Sequence, residues 1–370
     1  MNITTVKRVG FLATGSELTT GEILNTNVQF MAQSLLEHGV EIGEHVLVDD
    51  RENNIISALD YLLTNHDAVI ISGGLGPTSD DRTRFALSRF VDQELVFHTP
   101  SWQRIVERLT KRNIPIPENN RQQALFPESA TVFPNLFGTA DGCYLPFGNK
   151  HIFMLPGPPR ECLPLFTECV LPILDTHQFY TNRSLYRWRL MGVSESAIAE
   201  ELEAIGKPFN LEFAYRAAYP YTDIKLMLEH NAELDNIISL INSALQPYLI
   251  TTGNAPISSV LKARLDQSTI VLTIVDNASN GLIMAGLMSP GTRLNLTAAN
   301  QASDQHCLII NGLKEYWDTA TQANTTEIHV ELIHAGISTK SSRQIYLRGQ
   351  ETMDYAIEFT CHEIMKAWFA

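Results

Sequence analysis

The residues best suited to chemistry lie in one stretch, Val69-Ile70-Ile71-Ser72-Gly73-Gly74-Leu75-Gly76-Pro77-Thr78-Ser79-Asp80-Asp81. A loop carrying Gly73, Gly74 and Gly76 has few side chains, so its backbone N–H groups can approach a ligand closely. The apolar, β-branched run from Ala68 to Ile71 reads as a buried parallel strand. Ser79 or Asp80 is suited to cap a helix running to about Phe90. Strand, glycine loop and helix N-terminus form the geometry of a phosphate site. No Lys follows the glycines, and the full G-x-G-x-x-G spacing is missing, so the loop is neither a P-loop nor a dinucleotide fingerprint. Asp80 and Asp81 would repel a bare phosphate, whereas a hard divalent cation can bridge carboxylate and phosphate oxygens. The pair therefore points to a metal-assisted site. The plainer alternative is a turn whose acids favour the positive end of a helix, worth about 0.3–1 kcal/mol.

The elements that would position this loop are legible around it. Arg8 to Ala13 is a short apolar strand leading into a polar loop from Thr14 to Glu22. A helix follows from about Asn27 to Glu37, ended by Gly39, and then a strand from Val40 to Val48. Asp49-Asp50 closes that strand before a helix from Glu52 to Thr64. The order βαβαβα calls for a largely parallel sheet with helices on both faces. Ligands bind beyond the carboxyl ends of such strands. Three polar loops meet there, at Gly15 to Glu22, at Asp49-Asp50, and at Gly73 to Asp81. Loops are polar in general, but three on one sheet edge read as a site. Further on come a helix from Pro100 to Arg112, the polar run Asn119 to Ala124, a second glycine loop from Gly138 to Gly142, and a hairpin turning at Gly148-Asn149. Pro156-Gly157-Pro158-Pro159 then opens a helix to about Leu174. Arg121 and Arg160 are the cations near these motifs; either suits a phosphate or an ordinary surface role.

The chain has 370 residues, enough for two or three domains, and 44% of them are hydrophobic. Its net charge of −14 argues against a general nucleic-acid surface. The five cysteines are odd in number and form no C-x-x-C pair, which reads as buried thiols in a cytoplasmic protein. Residues 1–8 lack a signal sequence, and no apolar stretch is long enough for a membrane span.

Several motifs together resemble those of one family. They are Thr14-Gly15-Ser16-Glu17-Leu18 with Gly21 and Asn25-Thr26-Asn27, then Gly73 to Thr78 with Asp80-Asp81. Asn120-Arg121-Gln122-Gln123-Ala124, Gly138-Thr139-Ala140, and Leu155-Pro156-Gly157-Pro158-Pro159 with Glu161 follow in the same order. Residues 7–175 thus resemble the CinA (competence/damage-inducible) family, whose N-terminal part is similar to the molybdopterin-binding MoaB/Mog domain. The resemblance implies a three-layer αβα domain over 1–175. It implies metal-dependent ADP-ribose pyrophosphatase activity, or, by the Mog-type relatives, molybdopterin binding. Carried over by position, Asp80 and Asp81 become the catalytic candidates. Gly15, Gly73, Gly74, Gly76, Thr78, Asn120, Arg121, Gly138 and Thr139 become phosphate- or nucleotide-binding candidates. Asp81, Asp80, Glu17 and Asp50 become metal candidates, for Mg²⁺, Mn²⁺ or Co²⁺, with K⁺ as a further candidate. Arg160 stands where the family has a small residue.

Residues 176–252 read as a small α+β linking domain, with Ser194 capping a helix to Ile205. Gly192-Val193-Ser194-Glu195-Ser196 is close to the family's linking-domain motif, which implies a homodimer. Residues 253–370 weakly resemble the family's nicotinamide-nucleotide amidase domain, an αβα fold. There the hallmark A-E-S-C-T-G-G-L is replaced by Val275-Asp276-Asn277-Ala278-Ser279-Asn280-Gly281-Leu282. Asn277 occupies the position of the serine nucleophile, and an amide cannot attack a carbonyl as a hydroxyl can. Deamidase activity is therefore expected to be lost. Three functional expectations remain open: a nucleotide pyrophosphatase, a pterin-binding protein, and a nucleotide sensor without catalysis.

Overall fold

The computed structural model describes residues 6–268, 270–288, 294–296 and 306–369. The chain forms two compact units, Met1–Leu185 and Tyr186–Ala370.

The first unit follows the alternation written in its sequence. Its opening elements are β1 (Arg8–Thr14), α1 (Ser16–Thr19), α2 (Thr26–Glu37), β2 (Glu41–Val48), α3 (Glu52–Asn65), β3 (Ala68–Ser72) and α4 (Thr83–Val91). Then come β4 (Leu95–Phe97), α5 (Thr99–Lys111), a 3₁₀ turn over Glu118–Ala124, β5 (Leu125–Pro127), β6 (Thr131–Phe133), β7 (Gly142–Phe147) and β8 (Lys150–Leu155). α6 (Pro159–Leu165) and α7 (Leu171–Thr176) close the unit, joined through a wider π turn at Phe166–Val170. The six-stranded sheet has the order β2-β1-β3-β8-β7-β6. β2, β1, β3 and β8 run parallel, and β7 and β6 add an antiparallel margin.

Period-two alternation divides the strand side chains between two cores. Val9, Phe11, Ile70 and Phe153 face α2, α6 and α7, whereas Leu12, Val69, Ile71 and Met154 face α3 and α4. Both faces of the parallel strands are covered, which is why Ala68 to Ser72 is apolar almost throughout and fully buried.

One local expectation fails. The helix after the glycine loop starts at Thr83, not at Ser79 or Asp80, and its N-cap Arg82 makes no side-chain cap. The reason is the neighbouring carboxylate. Asp81 turns back into the loop and accepts hydrogen bonds from Gly76 N and Thr78 N, at 2.7 and 2.9 Å. Asp81 closes the turn instead of capping the helix.

The second unit begins with β9 (Arg183–Met191), which reaches back slightly across the division. α8 (Glu195–Gly206), β10 (Ala214–Ala218), β11 (Tyr221–Glu229), α9 (Leu234–Leu245) and β12 (Leu249–Thr251) complete a sheet of order β10-β11-β9-β12. Ser194 caps α8 as expected, accepting from Ala197 N at 3.3 Å. α10 (Ile257–Gln267), β13 (Leu272–Asp276), α11 (Leu282–Leu287), β14 (Leu294–Leu296), β15 (His306–Gly312), α12 (Lys314–Trp317), β16 (Thr325–His334), β17 (Ile337–Tyr346) and α13 (Gln350–Trp368) follow. Their sheet has the order β14-β13-β15-β16-β17.

A buried ionic network ties β9 and β11 to the start of α10 within this unit. Arg189 forks onto Asp223 at 2.7 and 2.9 Å, and Arg216 adds a third bond at 2.8 Å. The Arg189 guanidinium also lies over the Tyr221 ring and bonds to Asn254 O. The Tyr221 hydroxyl donates to Glu358 and accepts from Ile257 N. Among the described residues no helix is long and apolar enough to cross a membrane. All five cysteines are free; Cys143, Cys162, Cys307 and Cys361 are buried and Cys169 is half-buried.

Candidate functional site

The four parallel strands of the first unit end on one edge, and all four following loops line a cleft of about 640 Å³. β1 delivers Thr14, Gly15 and Glu17, β2 delivers Asp50, β3 delivers the glycine loop, and β8 delivers Pro156 to Glu161. The fourth loop lies beyond the three expected from the sequence. Cross-bonds fix the loops to one another: Gly15 N donates to Val48 O at 3.1 Å and Gly73 N to Leu155 O at 3.1 Å. Asn27, at the start of α2, donates its side-chain amide to Gly157 O.

The glycines are required by shape. Gly73 and Gly74 have φ of 110° and 64°, in the region that side chains disfavour. A Cβ on Gly73 would lie 2.2 Å from Thr14 O, and one on Gly74 would lie 2.1 Å from the Thr83 hydroxyl. That hydroxyl is paired at 3.0 Å with the buried Thr14 hydroxyl, which joins the loop base to α4 and β1. Gly157 packs its backbone against Gly73, with 3.4 Å from its would-be Cβ to Gly73 Cα.

The carboxylates differ in what already holds them. Asp81 is engaged on both oxygens: Gly76 N on one, Thr78 N and Thr78 Oγ1 (2.5 Å) on the other. Asp50 accepts both Ser16 N and Ser16 Oγ on Oδ2, at 2.9 and 2.8 Å. Asp80 is exposed, and its carboxyl is held below the usual carboxylate range, first by the Thr78 side chain and then by a backbone N–H. Glu17 is exposed at the cleft rim. Asp50 and Asp80 also line a second, more open basin, beside Arg51, Arg82 and Arg89. Two of those arginines share Glu52, and Arg51 draws the Asp49 carboxyl down to about 2.

Of the candidate residues, Gly15, Glu17, Asp50, Gly73, Gly74, Gly76, Asp80, Asp81 and Thr139 come together around the cleft. Thr78 acts through Asp81 from outside the lining. Asn120 is buried behind the loop, donating to Gln123 Oε1 at 3.0 Å. Arg121 stacks on Phe97 and Trp102 and pairs with Glu118 at 3.3 Å, away from the cleft wall. Gly138 packs on Glu161, where a Cβ would strike Glu161 Oε2 at 1.6 Å. Arg160 is exposed, 3.8 Å from Glu161 Oε1.

The cleft also holds residues that the sequence reading left without a role. Glu161 is only 7% exposed and accepts from Asn135 Nδ2 at 2.8 Å. Gln123, Ile23 and Leu24 line the cleft, the latter two exposed. Pro-Gly-Pro-Pro with a Glu two residues beyond it was the available signal for Glu161, and the Ile-Leu pair in a polar loop for Ile23 and Leu24.

In the second unit, Asn277 is exposed and donates its amide to Asn311 Oδ1 at 3.0 Å. Ser279 has no exposed surface. Its hydroxyl donates to Asp276 and accepts from Ile283 N at 3.0 Å, capping α11. The Trp317 indole closes over this turn by donating to Ala278 O at 2.6 Å.

Comparison with known proteins matches this arrangement. Residues 10–176 match the family model of the probable molybdopterin binding domain. A CinA-like protein of Dictyoglomus thermophilum is 32% identical over 292 residues, covering 77% of this chain and 71% of that protein. A putative competence-damage inducible protein of Alkaliphilus metalliredigens is 32% identical, over 76% of this chain and 70% of its own length. The crystal structure of a CinA protein from Thermoplasma acidophilum aligns at 28% identity and a TM-score of 0.42, covering 45% of this chain and 98% of that one. The first unit is thus an α/β domain of the MoaB/Mog type, with further α/β sheets in the second. This chain is a member of the CinA-like, competence-damage inducible protein family.

Proposed function

We propose that the first unit binds a nucleotide diphosphate derivative of the ADP-ribose class and hydrolyses its pyrophosphate bond with the help of a divalent cation. The observation that carries this is the meeting of a glycine loop, rich in backbone donors, with Asp50, Asp80 and Glu17 in one cleft. Among the described residues no three acids, histidines or cysteines gather as a ready-made metal cage. Mg²⁺ does not need one, because it binds through one or two carboxylates, water and substrate phosphates. Asp80 and Asp50 are the acids that would hold it, since both oxygens of Asp81 serve the loop. A bound divalent ion supplies charge neutralisation at the phosphates and a more acidic water.

The chain's own residues supply the rest. The glycine loop orients the diphosphate through its N–H groups. Asp80, ionised at neutral pH, lines the cleft as a carboxylate suited to that cation. Ile23, Leu24 and Pro158 offer an apolar wall for a planar base. The test is release of AMP from ADP-ribose by the full chain with Mg²⁺, Mn²⁺ and Co²⁺ in turn. No release with any of them overturns the reading.

The match to a probable molybdopterin binding domain favours a second reading, in which the same cleft holds a pterin phosphate. Pterin fluorescence co-purifying with the protein is its signature.

For the second unit we propose no deamidase activity, because Asn277 replaces the nucleophile and the Ser279 hydroxyl is consumed in capping. Ser279→Ala should cost about 1–2 kcal/mol through loss of the cap. It should leave nicotinamide mononucleotide deamidation at the blank level, which is also the level expected of the unchanged protein. A measurable deamidase rate that Ser279→Ala removes would contradict this.

A further inference from the structure

The carbonyls of the glycine loop are held by a ladder of donors, one backbone N–H and three side-chain amides. Thr83 N donates to Gly74 O at 3.3 Å. Gln123 Nε2 donates to Leu75 O at 3.4 Å. Gln122 Nε2 is shared between Gly76 O at 3.1 Å and Thr78 O at 2.8 Å. Asn119 Nδ2 donates to Pro77 O at 2.9 Å. Every carbonyl from Gly74 to Thr78 is therefore bonded to the protein's own donors. Asn119, Gln122 and Gln123 all come from one 3₁₀ turn, Glu118–Ala124, and that turn is in turn braced by Asn120 on Gln123.

The loop's donors are divided differently. Gly76 N and Thr78 N go to Asp81, and Gly73 N goes to Leu155 O. Pro77 has none to give. Among the described residues no hydrogen bond uses the N–H of Gly74 or Leu75, and both residues line the cleft. A peptide loop left to itself offers donors and acceptors equally. This loop has its acceptors tied down by the protein's own donors and keeps two donors.

We infer that Asn119, Gln122 and Gln123 are positioning residues that make the cleft face of the glycine loop donor-only, and so select a phosphate-type anion over a neutral or cationic ligand. They touch the loop's carbonyls and act through its N–H groups. The inference rests on the phosphate reading of the cleft, and names which residues impose it.

Gln122→Glu is the direct test. A carboxylate of the same shape cannot donate to Gly76 O and Thr78 O, and its charge repels both. Asn119→Asp makes the same change at an exposed position and serves if Gln122→Glu does not fold. Inorganic pyrophosphate with Mg²⁺ is the probe, titrated into the full chain by calorimetry. The amide resonances of selectively labelled Gly74 and Leu75 are followed alongside. The unchanged protein should bind, with both amide protons moving downfield. The variants should bind at least ten-fold more weakly, with those shifts lost and the melting temperature of the free protein nearly kept. Pyrophosphate binding and amide shifts unchanged in the folded variants would overturn the inference and leave the phosphate reading standing. No binding of pyrophosphate or ADP-ribose by the unchanged protein would overturn both.

Discussion

Asp81→Asn is expected to weaken binding of a diphosphate ligand by about 100-fold, and to lower turnover with it. Asp81 accepts three hydrogen bonds within the loop that follows β3, from Gly76 N, Thr78 N and Thr78 Oγ1. Asparagine keeps one acceptor oxygen and turns an NH₂ toward loop donors. Each charge-assisted bond contributes about 1.5–3 kcal/mol. Losing the better part of two and gaining a donor–donor contact amounts to about 3 kcal/mol, or roughly two decades in affinity. Thr78 N and Gly76 N would then compete with Gly74 and Leu75 for any anion, and the loop would lose its single shape. Raising the metal concentration separates this role from direct coordination. A metal ligand's loss is partly recovered by excess cation, while a broken loop is not. Recovery of full affinity in excess Mg²⁺ would make Asp81 a metal ligand and contradict the loop role.

The second large effect concerns the other unit. Asp223→Ala should destabilise it by about 3–5 kcal/mol, because it strands a buried arginine without its counter-charge. The side chains of Arg189 and Asp223 are each only 7% exposed. Two of the guanidinium's bonds end on Asp223. At about 2–4 °C per kcal/mol, the melting transition of this unit should fall by roughly 10 °C. The two compact units provide an internal control. A transition that follows ligand binding to the glycine-loop cleft should stay in place while the other moves. The pH dependence has a definite sign. Burial raises the Asp223 carboxyl, but Arg189 and Arg216 outweigh it and leave it below its usual value. Its stabilisation is therefore fully present above the ordinary carboxylate range, near pH 4, and is lost as pH falls through the lowered value. The gap between the unchanged protein and Asp223→Ala should close in acid. A gap that persists there would show that Asp223 acts by packing alone.

Much of the scaffold was legible because it follows from local patterns. Ala68 to Ile71 reads as a doubly covered strand from its β-branched run, and the βαβαβα order then fixes where its loop must point. Ser194 was recognisable as a cap because the pattern is complete within four residues. What escaped depends on contacts between residues far apart or on turns that fold back. Ser79 and Asp80 look like helix caps by spacing, yet the five-residue return of Asp81 to Gly76 satisfies two backbone donors at once, so the helix starts at Thr83. Arg121 sits in a motif beside the glycine loop, but Phe97 and Trp102 offer its guanidinium two ring faces elsewhere. Its neighbours Asn119 and Gln122 look like generic polar residues until the carbonyls of 76–78 are seen opposite them. The fourth cleft wall, from Pro156 to Glu161, needed the sheet order, since only pairing of β8 with β3 brings it beside Gly73.

The most direct measurement is AMP release from ADP-ribose by the full chain and by its Asp80→Asn variant, side by side, with Mg²⁺, Mn²⁺ and Co²⁺. Asp80 is exposed, ionised and not needed to hold the loop, so its amide variant should keep the fold and the phosphate contacts. Cation-dependent release that falls at least 100-fold in Asp80→Asn is the expected result. Release by the variant at the unchanged rate, or no release by either protein with any of the three cations, would contradict the account of this cleft as a cation-assisted pyrophosphatase site.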